Sequence, residues 1–230
     1  VCSDPAAPKS VVDHAHRIGA RLKLLGVDFF IEQHDSNWDW WDQENSIEGL
    51  SKERLLGDHQ LRNAAGVIEV ITLSEGSINV DLAKDAISDI SLEGRFQEFQ
   101  REGLKFVLDV AHNQEAAKVL SQNLIKRAYQ GKIFAIVALM KTKEIESFLS
   151  ALVERIDFWI FPTLACESAH PNILLKKHLL KIKKRAEVIC CESVSDAIKL
   201  ASKNAVPEDV TLICGSFITV SEALKCLESC

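Results

Sequence analysis

From Gly94 onward the chain alternates apolar runs of strand length with amphipathic windows of helix length, and this alternation restricts the available folds more than any other feature. The apolar runs fall at about 104–110, 133–139, 157–161, 186–191 and 210–214. The helical windows fall at about 113–127, 143–155, 171–184, 194–204 and 216–228. A strand followed by a helix long enough to recross the sheet brings the next strand back parallel to the first. Strands apolar on both sides require helices on both faces of the sheet. The expectation for 93–230 is therefore α/β, a mostly parallel sheet flanked by helices. Within it, Ser193 followed by Asp196 in "SVSD" reads as a capping-box variant that opens a helix.

The first ninety residues are less regular. Val11, Val12, Ala15 and Ile18 share one helical face, while "RLKLLGVDFFIEQ" and "WDWWD" read as strands or strand pieces. The polar segment "ENSIEGLSKERLLGD" reads as a loop. A helix is expected over about 59–73, carrying Asn63, Ala64, Val67, Val70 and Ile71, and a shorter one over about 80–90. No complete repeating architecture emerges, so this stretch reads as part of a domain.

In a parallel α/β sheet, ligands bind beyond the C-terminal ends of the strands, where the next helix presents unpaired backbone N–H groups. In "LDVAHN" the apolar run ends in Asp109, His112 and Asn113. An acid, an imidazole and an amide at this position read as a site. The competing reading makes Asn113 a helix cap and Asp109 a partner for loop backbone. Gly215 and Ser216, after the last run, suit an anion on backbone N–H groups, or else form a tight turn and a serine cap. Lys141 and Lys143, after the second run, read as a solvated helix start.

Charge and cysteine usage narrow the function. A net charge of −6 leaves no basic footprint, so nucleic acid is not an expected partner. The seven cysteines form no CxxC pair and several lie in apolar runs, which points to a reducing cytoplasm without a zinc site. No apolar run approaches the ~18 residues of a membrane span, and "VCSDPAAPKS" has no signal-peptide pattern. The chain starts without Met and is read as a fragment.

Four strings in order, "GDHQLRNAAGVIEVI", "GRFQ", "LDVAHN" and "LICGSF", resemble the second half of the folylpolyglutamate synthase/dihydrofolate synthase family, within the Mur ligase superfamily. The resemblance implies two domains: 1–92 as the latter part of an α/β central ATPase domain, and 93–230 as a Rossmann-like C-terminal domain. It further implies an ATP-dependent ligase that adds L-glutamate to dihydropteroate or folates through an acyl phosphate, with Mg²⁺, as a monomer at full length. By match to the motifs, Asn63 would contact adenine, Arg95 the phosphates and Asp109 the ribose. His112 would lie near the glutamate and acyl-phosphate end as a catalytic group beside Arg95, with Ser216 also binding substrate. The ten glycines form no GxxxxGK[ST], so the phosphate loop and metal ligands are expected upstream of Val1 and the isolated chain is expected to be inactive. A UDP-muramyl peptide ligase and a non-catalytic nucleotide-binding remnant stay open as alternatives.

Overall fold

A computed structural model describes residues 1–55 and 57–228, and the chain divides into two compact units, Val1–Leu92 and Glu93–Cys230. The first unit contains α1 (Lys9–Ile18), an antiparallel meander of β1 (Phe30–Gln33), β2 (Asn37–Trp41) and β3 (Ser46–Ser51), then α2 (Asp58–Glu75) and α3 (Val80–Asp89). Its core joins Phe29, Trp38, Trp40, Ile47 and Leu50 to Leu61, Ala65 and Ile68 of α2. Of the expected apolar face on α1, only Ala15 is buried.

The segment expected to be a loop contains a strand, β3, and the reason is a bulge. Trp38 pairs with Leu50 but Trp40 with Ile47, so one extra residue on β3 faces this stretch of β2. Gly49, with φ +72°, sits in that irregularity and donates its N–H to Asp39 Oδ1 at 2.7 Å. The bulge moves the two core residues from a spacing of two to a spacing of three, which removes the period-two signal. Upstream, only Phe30–Gln33 joins the ladder; Leu24 and Leu25 make isolated bridges.

The second unit contains β4 (Gln97–Arg101), β5 (Leu104–Asp109), α4 (Gln114–Arg127), β6 (Ile133–Val137), α5 (Ile145–Leu152), β7 (Phe158–Pro162), α6 (Asn172–Ile182), β8 (Glu187–Cys191), α7 (Val194–Asn204), β9 (Val210–Cys214) and α8 (Phe217–Glu228). The sheet order is β4-β5-β9-β6-β7-β8, all parallel except the edge strand β4. β4 was not anticipated. It hairpins onto β5 through Glu102 and Gly103, both at positive φ, the two-residue geometry that matches strand twist.

Alternation along the strands divides the core between the two faces. Phe106, Leu108, Phe134, Ile136, Ile160 and Ile213 pack against Val194, Ala197 and Ala201 of α7 and Val220 and Ala223 of α8. On the helix side, α4 packs on α5 and α5 on α6, while α7 packs on α8. Ser193 caps α7 by accepting the Asp196 N–H at 3.1 Å, and its hydroxyl bonds the Asp196 carboxylate at 2.7 Å. The six described cysteines are free thiols; Cys230 lies outside the described residues. Among the described residues no helix is long and apolar enough to cross a membrane.

Candidate active site

Asp109 ends β5 in register with Cys214, the last residue of β9, so two central strands stop level with each other. Three loops are laced together beyond that edge. Val110 donates its N–H to the Gly94 carbonyl at 2.8 Å, and Gly215 donates to the Ala111 carbonyl at 2.9 Å. Asp109 draws two of these loops together: Oδ2 accepts the Phe96 N–H at 2.8 Å and Oδ1 the Ala111 N–H at 2.7 Å. Burial holds the Asp109 carboxyl above its ordinary value, and the two backbone donors, Arg95 and His112 pull it back only partway.

Sharp backbone turns keep these loops close. Gly94 has φ +64°, and a Cβ there would stand 2.9 Å from Val110 Cγ1 and 3.0 Å from Val220 Cγ1. Phe96 is buried at φ +49°, a left-handed conformation that few side chains adopt without outside support. Arg95 therefore stands between two left-handed residues, its backbone held while its side chain is exposed. Gly215, at φ +107°, lies so near β6 that a Cβ would meet the Ala138 carbonyl oxygen at 2.5 Å.

His112 Nδ1 lies 2.8 Å from the Val110 carbonyl. A carbonyl can only accept, so Nδ1 carries a proton, and in the neutral ring Nε2 holds the free lone pair. The Arg95 guanidinium carbon lies 5.8 Å from the centre of the Phe217 ring, and the His112 ring lies 6.1 Å from it, tilted by 42°. Phe217 was not singled out from sequence. The available signal was its place in "LICGSF": an aromatic residue directly after a strand-end Gly-Ser.

Arg95, Asp109, His112 and Ser216 thus converge on one edge of the second unit. The Ser216 hydroxyl, however, points inward. At 3% exposure, it accepts the Thr219 N–H at 3.1 Å and lies 2.7 Å from the Thr219 hydroxyl. That hydroxyl in turn donates to the Ala138 carbonyl at 3.2 Å. Asn113 caps α4, its Oδ1 accepting the Ala116 N–H at 2.8 Å. Asn63 belongs to the first unit, exposed on α2, its amide 3.5 Å from Gln60 Oε1. Lys141 and Lys143 precede α5 rather than open it.

A divalent metal does not fit the donor set at this edge. Its carboxylate, Asp109, already accepts a backbone N–H on each oxygen. Among the described residues, the group that brings three donor atoms within 4.8 Å of one another is Glu32, His34 and Asp39, in the first unit. There His34 Nε2 is paired with Asp39 Oδ2 at 2.8 Å.

The family model for the Mur ligase, glutamate ligase domain, matches residues 94–217. The dihydrofolate synthase/folylpolyglutamate synthase of Haemophilus influenzae is 29% identical over 239 residues, covering 96% of this chain and 54% of its own length. The solved structure of E. coli FolC in complex with DHPP and ADP has a TM-score of 0.86 at 27% identity, covering 99% of this chain and 52% of its own. A bifunctional folylpolyglutamate synthase/dihydrofolate synthase with Mn, AMPPNP and L-glutamate bound has a TM-score of 0.83 at 31% identity, covering 98% and 52%. The chain spans about half the length of the curated relatives it matches.

Proposed function

Since the chain belongs to the Mur ligase family through its glutamate ligase domain, we propose that it supplies that domain, and in 1–92 the latter part of a central ATPase domain, to an ATP-dependent ligase that joins L-glutamate to dihydropteroate or folates. The observation that carries this reading is the lacing, through Asp109, of the loops that carry Arg95 and His112 at the strand-end edge, where a charged group is exposed on a fixed backbone. The relatives' complexes with ADP, AMPPNP, DHPP and L-glutamate support it.

In this reaction a pteroate or folate carboxylate takes the terminal phosphoryl group of ATP. The amino group of glutamate then attacks the acyl carbon, the amide forms, and inorganic phosphate leaves with one proton lost from nitrogen. Arg95 binds and orients phosphoryl oxygens: a guanidinium stays charged and matches them with paired donors. Asp109 fixes the two loops through its backbone bonds, and its remaining lone pairs suit a ribose hydroxyl. His112 offers Nε2 to the proton leaving the amine, its tautomer set by the Val110 carbonyl. Ser216 acts through the backbone at the start of α8, its hydroxyl being turned inward. For Asn63, exposed on α2, the match to the family's motif implies a contact with adenine. The magnesium ligands and phosphate loop belong to sequence outside these 230 residues.

The test is phosphate release with MgATP, L-glutamate and dihydropteroate. The 230-residue chain alone should give none, and the same chain joined to the N-terminal half of the E. coli relative should give glutamate-dependent release. Turnover by the isolated chain in the range of about 1–1,000 per second usual for enzymes would refute this reading. Release that ignores glutamate would refute it as well.

A further inference from the structure

Gly94, Phe96 and Asp109 fix the backbone of Arg95; the Asp109 carboxylate attracts its guanidinium through space but makes no hydrogen bond to it. An exposed arginine samples many rotamers, and ordering it when a ligand binds lowers affinity and rate. The neighbour that the guanidinium meets is Phe217.

This ring differs from an ordinary surface phenylalanine in three ways. Its helix buries Thr219, Val220, Ala223 and Leu227 on one face, and Phe217 lies off that face, 60% exposed, at the strand-end edge. The Arg95 guanidinium lies 5.8 Å from the ring centre, within the ~6 Å at which a cation is attracted to the negative face of an aromatic ring. The His112 ring approaches the same phenylalanine at 6.1 Å, so two side chains read as functional from sequence share one aromatic neighbour. Core packing does not account for the position of Phe217; contact with those two residues does.

We propose that Phe217 is a positioning residue, an aromatic platform that holds the Arg95 guanidinium and steadies the His112 ring, so that both are oriented at the strand-end edge before a phosphorylated ligand arrives. The role rests on the ligase reading above. Phe217 contacts the cation and the imidazole, takes no proton and forms no bond to substrate. Leucine keeps most of the apolar volume but has no ring quadrupole, whereas tyrosine keeps both.

The test has a spectroscopic arm and a kinetic arm. A guanidinium over a ring is shifted upfield, so the Arg95 Nε–Hε signal of the 230-residue chain, assigned by Arg95→Lys, should be displaced in the unaltered protein. It should stay displaced in Phe217→Tyr and return to the ordinary arginine position in Phe217→Leu. In the joined enzyme, Phe217→Leu should lower kcat by about two- to fivefold, the effect of an exposed cation–ring contact, with tyrosine restoring it. A signal unmoved by Phe217→Leu would overturn the proposal. A signal that moves while kcat holds would overturn it too. If the unaltered joined enzyme shows no glutamate-dependent turnover although the displaced signal is present, the ligase reading fails and the positioning role fails with it.

Discussion

Replacing Asp109 by Asn changes one carboxylate oxygen to an amide nitrogen at nearly constant shape. Two backbone donors, the Phe96 and Ala111 N–H groups at 2.8 and 2.7 Å, now face a side chain that can accept from only one of them. The other meets an NH₂ group. A hydrogen bond to a charged acceptor is worth about 1.5–3 kcal/mol, and orphaning a buried donor costs about 1–3 kcal/mol. Against this, the neutral amide avoids burying a charge, a cost large enough to raise the carboxyl above 3.8 despite its donors. The net expectation is a loss of roughly 2–3 kcal/mol, or about 6–15 °C in Tm for a unit of this size.

Near-UV circular dichroism during heating measures the loss, and amide exchange at Phe96 and Ala111 reads the two bonds directly. The pH dependence has a defined sign. The folded carboxyl keeps its proton to a higher pH than the unfolded one, so this group's contribution falls as pH rises from 3.8 through the raised value and is level above it. Asp109→Asn should show no such fall. An unchanged or raised Tm, with both amides still protected, would refute the idea that this carboxylate ties the loops together.

Other substitutions separate structural from functional roles. Gly215→Ala would place a Cβ 2.5 Å from the Ala138 carbonyl oxygen at φ +107°, and should destabilise by at least about 2 kcal/mol in a urea titration. Ser216→Ala removes the cap of α8 and should lower stability by roughly 0.5–2 kcal/mol while leaving the KM for glutamate in the joined enzyme within about twofold; a many-fold rise in KM at unchanged Tm would show the hydroxyl to be a ligand group. Arg95→Ala, at an exposed position, should leave stability within about 0.5 kcal/mol but lower kcat by about 100- to 1,000-fold with little change in the KM for ATP, as steady-state kinetics would report.

The central parallel strands were legible because both their sides are covered. β6 and β9 are buried along their whole length and read as unbroken apolar runs. β3 and β4 were illegible for different reasons. The bulge around Gly49 broke the alternation of β3, and β4, an edge strand of sequence QEFQR, has no fully buried residue. At the candidate site, "DVAHN" marked the edge, and the capping reading of Asn113 describes its contacts. Asp109 bonds backbone 13 residues upstream, at Phe96, a partner that local spacing does not reveal. Phe217 was hidden because an aromatic residue opening an apolar helix looks like core until the helix's buried face is known.

The strand order carries a consequence for synthesis. β5 and β6 follow each other along the chain but do not pair; β9, the last strand of this sheet to be made, lies between them, with Val210 opposite both Lys105 and Ile133. Until Val210–Cys214 leaves the ribosome, the second unit can exist only as two half-sheets, β4-β5 and β6-β7-β8, each with an unsatisfied apolar edge. Deletion of Val210–Glu228 would therefore remove the middle of the sheet rather than trim its border. A nascent chain stalled before Val210 is the form most exposed to aggregation and to chaperones.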